Sequence, residues 1–173
     1  MDASPLGAQA LARAALTYLA EPGDPALGAL LETREPADVL AAIKAGMLPE
    51  TWTGTGSAGG DSPARRRALE RALGRWRIRL PGLPGDAAIQ AARRDGIRLV
   101  CPGDPEWPAR LDQLGAARPY ALWLRGRADL RLACLRSVSI VGSRAATGYG
   151  AHVAGEIAAD LAEKGWVVVS GGA

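Results

Sequence analysis

Apolar residues recur with a helical period in the first third of the chain. In LGAQALARAALTYL, residues 6–19, leucines and alanines return every three or four positions, which predicts an amphipathic helix. The turn EPGDP, residues 21–25, ends this helix with two prolines and a glycine. Residues 26–31 and 36–46 predict two further short helices. The pattern therefore predicts a small helical bundle over about the first 50 residues.

The middle of the chain predicts one long helix and several short elements. A Gly/Ser/Thr-rich stretch, residues 53–63, predicts a flexible loop. The helix that follows extends from about Pro63 to Ile78, and its apolar stripe is Leu69, Leu73 and Trp76. After it we expect a short helix at 86–95, a strand at 97–101, a helical turn at 109–114 and a strand at 120–126.

The last 36 residues predict a strand–helix–strand unit. Val138 to Val141 is a short β-branched run, and WVVVS at 166–170 is a second run of the buried type. Between them a helix of about 15 residues places Val153, Ile157 and Leu161 on one face. A unit of this kind has a right-handed crossover, so we expect the two strands to be parallel.

Glycine loops follow both of these strands and point to an anion site. Ligands of such units lie beyond the carboxyl ends of the strands, where helix N–H groups and the helix dipole favour negative charge. Glycines let a phosphate approach the backbone, while hydroxyl groups and a guanidinium add donors. The candidate binding residues are Gly142, Ser143, Arg144, Thr147, Ser170, Gly171 and Gly172. The loops match neither the dinucleotide fingerprint nor the Walker pattern, so NAD and ATP are disfavoured and no cofactor is expected.

Two residues near this edge have alternative interpretations. Arg144 either contacts the anion or forms a salt bridge at the start of the helix. His152, the only histidine, is either a surface or packing residue or a catalyst.

Charge is distributed unevenly along the chain, although the net charge is only +3. Residues 1–64 carry a balance of −5, residues 65–136 a balance of +9, and residues 137–173 a balance of −1. The basic segment is a candidate surface for a polyanion. The arginines of the 63–78 helix either form a solvated face or contact nucleic acid. An Arg-favouring base composition in the genome is one interpretation of the preference for arginine over lysine, but it does not account for this clustering.

Composition excludes several classes of protein. The chain has 173 residues, 48% of them hydrophobic and 23% charged, as in globular proteins. Apolar runs fall short of the roughly 20 residues of a membrane helix, and the N-terminus lacks the features of a secretory signal. Cys101 and Cys134 have no metal-ligand spacing, so no metal is expected. We therefore expect a cytoplasmic protein that does not bind membranes.

The C-terminal motifs resemble those of one family. The chain has Val141-Gly142-Ser143-Arg144, then Thr147-Gly148-Tyr149-Gly150, and finally Ser170-Gly171-Gly172-Ala173. This order of V-G-S-R, T-x-Y-G and S-G-x-A is similar to the opening of the Rossmann-like domain in the DNA-processing protein A family (DprA, also called Smf). Upstream, GDPEWPARLDQLGAARPYALWLRG resembles the family's approach to that domain.

The resemblance implies an α/β protein with a small helical (SAM-like) N-terminal domain and the start of a Rossmann-like parallel sheet. Residues 1–80 would form the helical domain, 81–136 a basic α/β connecting extension, and 137–173 an incomplete Rossmann-like domain. It also implies a non-enzymatic protein that binds single-stranded DNA, loads the RecA recombinase in natural transformation and forms homodimers. Arg144 would clamp a DNA phosphate.

Two expectations qualify this assignment. The family's sheet continues beyond the second strand, so we expect a fragment of a longer protein and an exposed edge at Val167, Val168 and Val169. The competing hypothesis is a nucleotide-processing enzyme of the phosphoribohydrolase type on a related fold. That enzyme needs a catalytic acid downstream, which these 173 residues do not supply.

Overall fold

A computed structural model describes residues 5–49, 52, 63–143 and 145–171, apart from the side chain of Arg65. The chain forms two compact units, Met1–Gly126 and Arg127–Ala173. The predicted flexible loop falls almost wholly outside the described residues. The three-way division of the chain expected from its sequence stays a prediction.

The first unit is mainly helical, as its sequence predicts. Its described residues include the α-helices α1 (Ala8–Leu19), α2 (Pro25–Leu31), α3 (Pro36–Ala45), α4 (Pro63–Ile78) and α5 (Asp86–Arg94). A 3-10 segment, Leu80–Gly82, connects α4 to α5. A second, Ala109–Ala117, lies between the two strands of the unit and is interrupted at Gly115. Strands β1 (Ile97–Val100) and β2 (Leu122–Arg125) complete the unit.

The helix ends follow from local chemistry. Pro25 and Pro36 each occupy the first position of a helix, where the missing N–H costs no hydrogen bond. Gly46 closes α3 with φ of 75°, a left-handed conformation that suits glycine. The predicted boundaries of these helices are therefore confirmed to within one or two residues.

The core lies where α1, α2, α3 and α4 pack together. Its largest fully buried side chains include Leu16, Leu27, Val39, Ile43 and Trp76. Leu69 is also buried and Leu73 is half-buried, so the apolar stripe predicted for α4 is confirmed.

The carboxylate of Asp24 joins the turn before α2 to α4. Its Oδ1 accepts the N–H groups of Ala26 and Leu27, at 2.9 and 3.3 Å, and so caps the helix. Its Oδ2 accepts the indole N–H of the buried Trp76 at 3.2 Å and pairs with Arg75 at 3.4 Å. One side chain thus satisfies a helix terminus and the polar atom of the largest core residue.

Strands β1 and β2 pair antiparallel, from Ile97 opposite Arg125 to Val100 opposite Leu122. Strand β2 is tied to α1 by Trp123, whose indole N–H donates to Thr17 Oγ1 at 3.1 Å. Just before β2, the buried Tyr120 donates its hydroxyl to the carbonyl of Glu21 at 2.8 Å. Burial and the nearby charge of Asp24 raise the pKa of Tyr120, so this hydroxyl stays protonated.

The second unit contains α6 (Leu130–Leu135), β3 (Ser137–Ser139), α7 (Gly148–Glu163) and β4 (Val167–Val169). β3 and β4 pair in parallel, Ser137 with Val167 through Ser139 with Val169, which confirms the predicted strand–helix–strand unit. Both strands are shorter than predicted. Helix α6 was not predicted, although Asp129 caps it through the N–H of Leu132, an ordinary helix-start signal.

The apolar face of α7 is less covered than its sequence predicts. Val153 and Leu161 are half-buried, but Ile157 is 50% exposed because the described sheet has only two strands to pack against it. Val167 and Val169 are 40% and 45% exposed, which confirms the expected open edge at these two positions, while Val168 between them is half-buried.

Gly28 gives a direct test of the packing in the first unit. A Cβ at this position would lie 1.7 Å from the carbonyl oxygen of Ala116, so α2 and the 109–117 segment would have to separate. We expect Gly28→Ala to lower the free energy of unfolding by about 1–3 kcal/mol in urea titrations. The matched control is Gly74→Ala in α4, where a Cβ meets nothing within 4 Å, and it should raise stability by about 0.5–1 kcal/mol. Equal effects of both would contradict the packing described.

Removal of the Asp24 carboxylate should destabilise the first unit. Asp24→Ala removes the cap of α2 and leaves the buried indole N–H of Trp76 without its acceptor, so we expect a loss of about 2–3 kcal/mol. Asp38→Ala is the control, because Asp38 is exposed in the first turn of α3. That variant should change stability by about 0.5 kcal/mol or less. A loss of that small size for Asp24→Ala would show that its contacts are dispensable.

The two cysteines should differ in reactivity. Burial, helped by the charge of Asp104, raises the pKa of the buried Cys101 thiol to about 11, whereas Cys134 is exposed. Because the thiolate is the reactive form, a chromogenic disulfide at about pH 8 should label one thiol in the native chain and two after denaturation. Native Cys134→Ser should remain unlabelled. Rapid labelling of that variant would show that Cys101 is accessible.

Candidate functional site

Both glycine loops leave the same edge of the parallel sheet. The last paired residues are Ser139 and Val169, and the N–H of Ile140 donates to the carbonyl of Val169 at 2.9 Å. Parallel strands have their carboxyl ends together, so the loop after β3 and the loop after β4 begin side by side. The structure thus brings four of the predicted site residues to one edge: Gly142, Ser143, Ser170 and Gly171.

Thr147 begins helix α7 at this edge and fixes its N-terminus. Its Oγ1 accepts the N–H of Gly150 at 3.1 Å, and its carbonyl accepts the N–H of Ala151 at 3.0 Å. The helix has 16 residues, so its aligned peptide dipoles leave a partial positive charge at this end. The other predicted members of the site, Arg144 and Gly172, lie outside the described residues.

Hydroxyl groups line the first loop in defined positions. The Oγ of Ser143 accepts the N–H of Ala145 at 3.1 Å, which closes a tight turn. Ser143 and Thr147 therefore both act as acceptors toward the backbone, and each hydroxyl keeps its own proton to donate outward. Two neutral donors of this kind suit an anionic oxygen.

The backbone of both loops is sterically open. A Cβ built on Gly142, Gly148 or Gly171 would meet nothing within 4 Å. Their side-chain-free surface lets a bulky oxyanion reach the peptide N–H groups, which a larger residue would hinder.

Two pairs of charged side chains lie along α7 and the residue that follows it. His152 Nε2 lies 3.4 Å from Glu156 Oε1, and Lys164 Nζ lies 2.6 Å from Asp160 Oδ2, all in exposed positions. Arg136, whose guanidinium lies 5.2 Å from the centre of the Trp166 ring, comes directly before β3 and so sits at the opposite edge of the sheet. In the described part of the loops, backbone N–H groups, hydroxyls and the helix dipole are therefore the features that suit an anion.

Tyr149 also belongs to this edge, although it is not among the site residues predicted from the sequence. It lies in the first turn of α7 and is 79% exposed. Its place in the T-G-Y-G motif was the available signal. An exposed aromatic ring beside an anion site can stack on a base.

Neither a metal-ligand cluster nor a membrane-spanning helix occurs in the part of the chain that the structure describes. The described residues include no group of three or more His, Cys, Asp or Glu side chains that could hold a metal ion. In the same ranges, every helix is too short or too polar to cross a bilayer.

Comparison with known proteins places these features in a family context. Residues 98–173 match the family model of DNA recombination-mediator protein A. Over 95% of its length, the chain is 34% identical to DNA processing protein DprA of two strains of Mycobacterium tuberculosis. It is 33% identical over 53% of its length to DNA processing protein DprA of Bacillus subtilis.

The chain spans 40% of the length of the mycobacterial relatives and 29% of the Bacillus relative. No solved structure matches the chain with significance. Since the family model covers both glycine loops and the similarity to the mycobacterial relatives extends through the helical unit, this chain belongs to the DNA-processing protein A family.

Proposed function

We propose that this chain contributes the single-stranded DNA site of a recombination mediator. The observation that carries the proposal is the meeting of two open glycine loops at the capped N-terminus of α7. That arrangement suits a phosphate group, and membership of a family named for DNA processing supports DNA as the polymer that presents the phosphates.

A single strand is the form of DNA that best fits this edge. Its phosphates can enter an open loop one at a time, and its unstacked bases are available to an exposed ring such as Tyr149. Arg144 would clamp a phosphate through its planar fork, in line with the family motif.

The wider role follows from the family and is part of the same proposal. The protein acts in the cytoplasm by binding and not by catalysis, forms homodimers and loads the RecA recombinase on incoming DNA during natural transformation. The described residues of the first loop carry hydroxyl and backbone donors and no carboxylate to serve as a catalytic acid.

Fluorescence anisotropy with labelled oligo-dT tests the site. We expect binding that weakens steeply between about 50 and 200 mM salt, because phosphate contacts release counterions from the strand. Gly142→Val should weaken binding about tenfold, equivalent to about 1.4 kcal/mol, since the valine side chain blocks access of the phosphate to the loop backbone. Arg144→Ala should weaken binding by a similar factor.

Gly155→Ala is the control for these variants. Gly155 is an exposed residue within α7, and a Cβ there meets nothing within 4 Å, so this change should leave DNA affinity unaltered. A wild-type chain that is folded by circular dichroism and binds no oligo-dT at low salt would refute the proposed function. Unchanged affinity of Gly142→Val and Arg144→Ala would place the DNA site elsewhere on the chain.

A further inference from the structure

Helix α4 has a buried face and an exposed face of opposite character. Leu69, Ala72 and Trp76 point into the core of the first unit. Arg67 and Arg71, one helical turn apart, are both exposed and lie on the other side of the helix. We call these two residues the arginine ridge.

Most other arginines in and directly after this helix have partners within the protein. Arg66 pairs with Glu70 at 3.8 Å, Arg75 with Asp24 at 3.4 Å, and Arg79 with Glu21 at 2.5 Å. The guanidinium of Arg77 lies against Gly46, near the C-terminal end of α3. These arginines therefore pair with carboxylates of the protein or pack against another helix end.

The arginine ridge has no such compensation. Among the described residues, no carboxylate lies within 4.0 Å of Arg67 or Arg71. Like charges at positions i and i+4 of a helix repel each other and destabilise it slightly. A polyanion bound along the ridge would contact both guanidinium groups and offset their mutual repulsion.

The surface beside the ridge is open to a ligand. Gly74 follows Arg71 by three residues, and a Cβ there would meet nothing within 4 Å. The ridge carries no aromatic side chain, whereas protein–protein interfaces are usually anchored by buried aromatic or arginine residues in a pocket. Arginine forks on an open helix instead suit phosphate groups, which they bind in a bidentate manner.

We propose that the arginine ridge is a second contact for single-stranded DNA, which binds phosphates separately from the glycine-loop site. This inference rests on the proposed function for the identity of the polymer. The contact is independent of base sequence, because only phosphates are held.

The test compares two variants of the full chain that lose the same charge. Arg67→Gln with Arg71→Gln removes the ridge, and Arg66→Gln with Arg79→Gln removes two arginines that already have partners. Both are titrated into labelled oligo-dT and oligo-dC over a range of salt, with circular dichroism to verify the fold. We expect the ridge variant to bind both oligomers about tenfold more weakly than the wild type at low salt. Its plot of log K against log salt should be less steep by about 1.4, the value for two phosphate contacts on a single strand.

The outcomes separate this inference from the proposed function. Equal weakening by both variants would overturn the ridge, since only the overall charge would then matter. Wild-type affinity of the ridge variant would also overturn it and would leave an acidic protein as the candidate partner. In either case, weaker binding by Gly142→Val would leave the proposed function standing. If the wild-type chain binds no oligomer, both proposals fail.

Discussion

The first unit depends on the short turn that carries Asp24. The carboxylate caps α2 and accepts the indole N–H of Trp76, while the carbonyls of Glu21 and Asp24 accept the hydroxyl of Tyr120. Three distant parts of the sequence therefore meet at one turn. Each of these polar groups lies at or near the core, where an unmade hydrogen bond costs more than a made one contributes. The turn consequently specifies how the helices pack against the antiparallel pair of β1 and β2, in addition to ending α1.

The second unit is organised on a different principle. None of its described residues is buried to the degree seen in the helical core, and its order rests on a parallel ladder and the capped helix α7. These are also the features that create the candidate site. The ladder brings the two glycine loops together, and Thr147 fixes the helix end beside them. A site built in this way needs correct strand register more than a large core, because a slip in register would separate the loops.

Local patterns predicted the helices well, but they predicted a long-range contact only where a single helix connects two strands. The period of apolar residues, the prolines at helix starts and Gly46 at a helix end are local signals, so helix positions followed from them. The antiparallel pairing of β1 with β2 and the bond from Tyr120 to Glu21 join residues far apart in sequence. Periodicity contains no information about such partners. For the candidate site, the parallel strands could be inferred because a single connecting helix constrains their direction. The exposure of Ile157 could not be predicted in this way, because the burial of a helix face depends on neighbouring strands that no local pattern reveals.

The same distinction governs the interpretation of charge. The sequence shows a strongly basic segment, but a count of arginines treats each as available to a ligand. In the structure, Arg75 and Arg79 pair with the acidic turn at Glu21 and Asp24, and Arg98 pairs with Glu106. Acidic residues of the same unit thus neutralise part of the positive charge. The surface that a polyanion meets is consequently smaller and more localised than the net charge suggests, and contact geometry, not composition, defines where it lies.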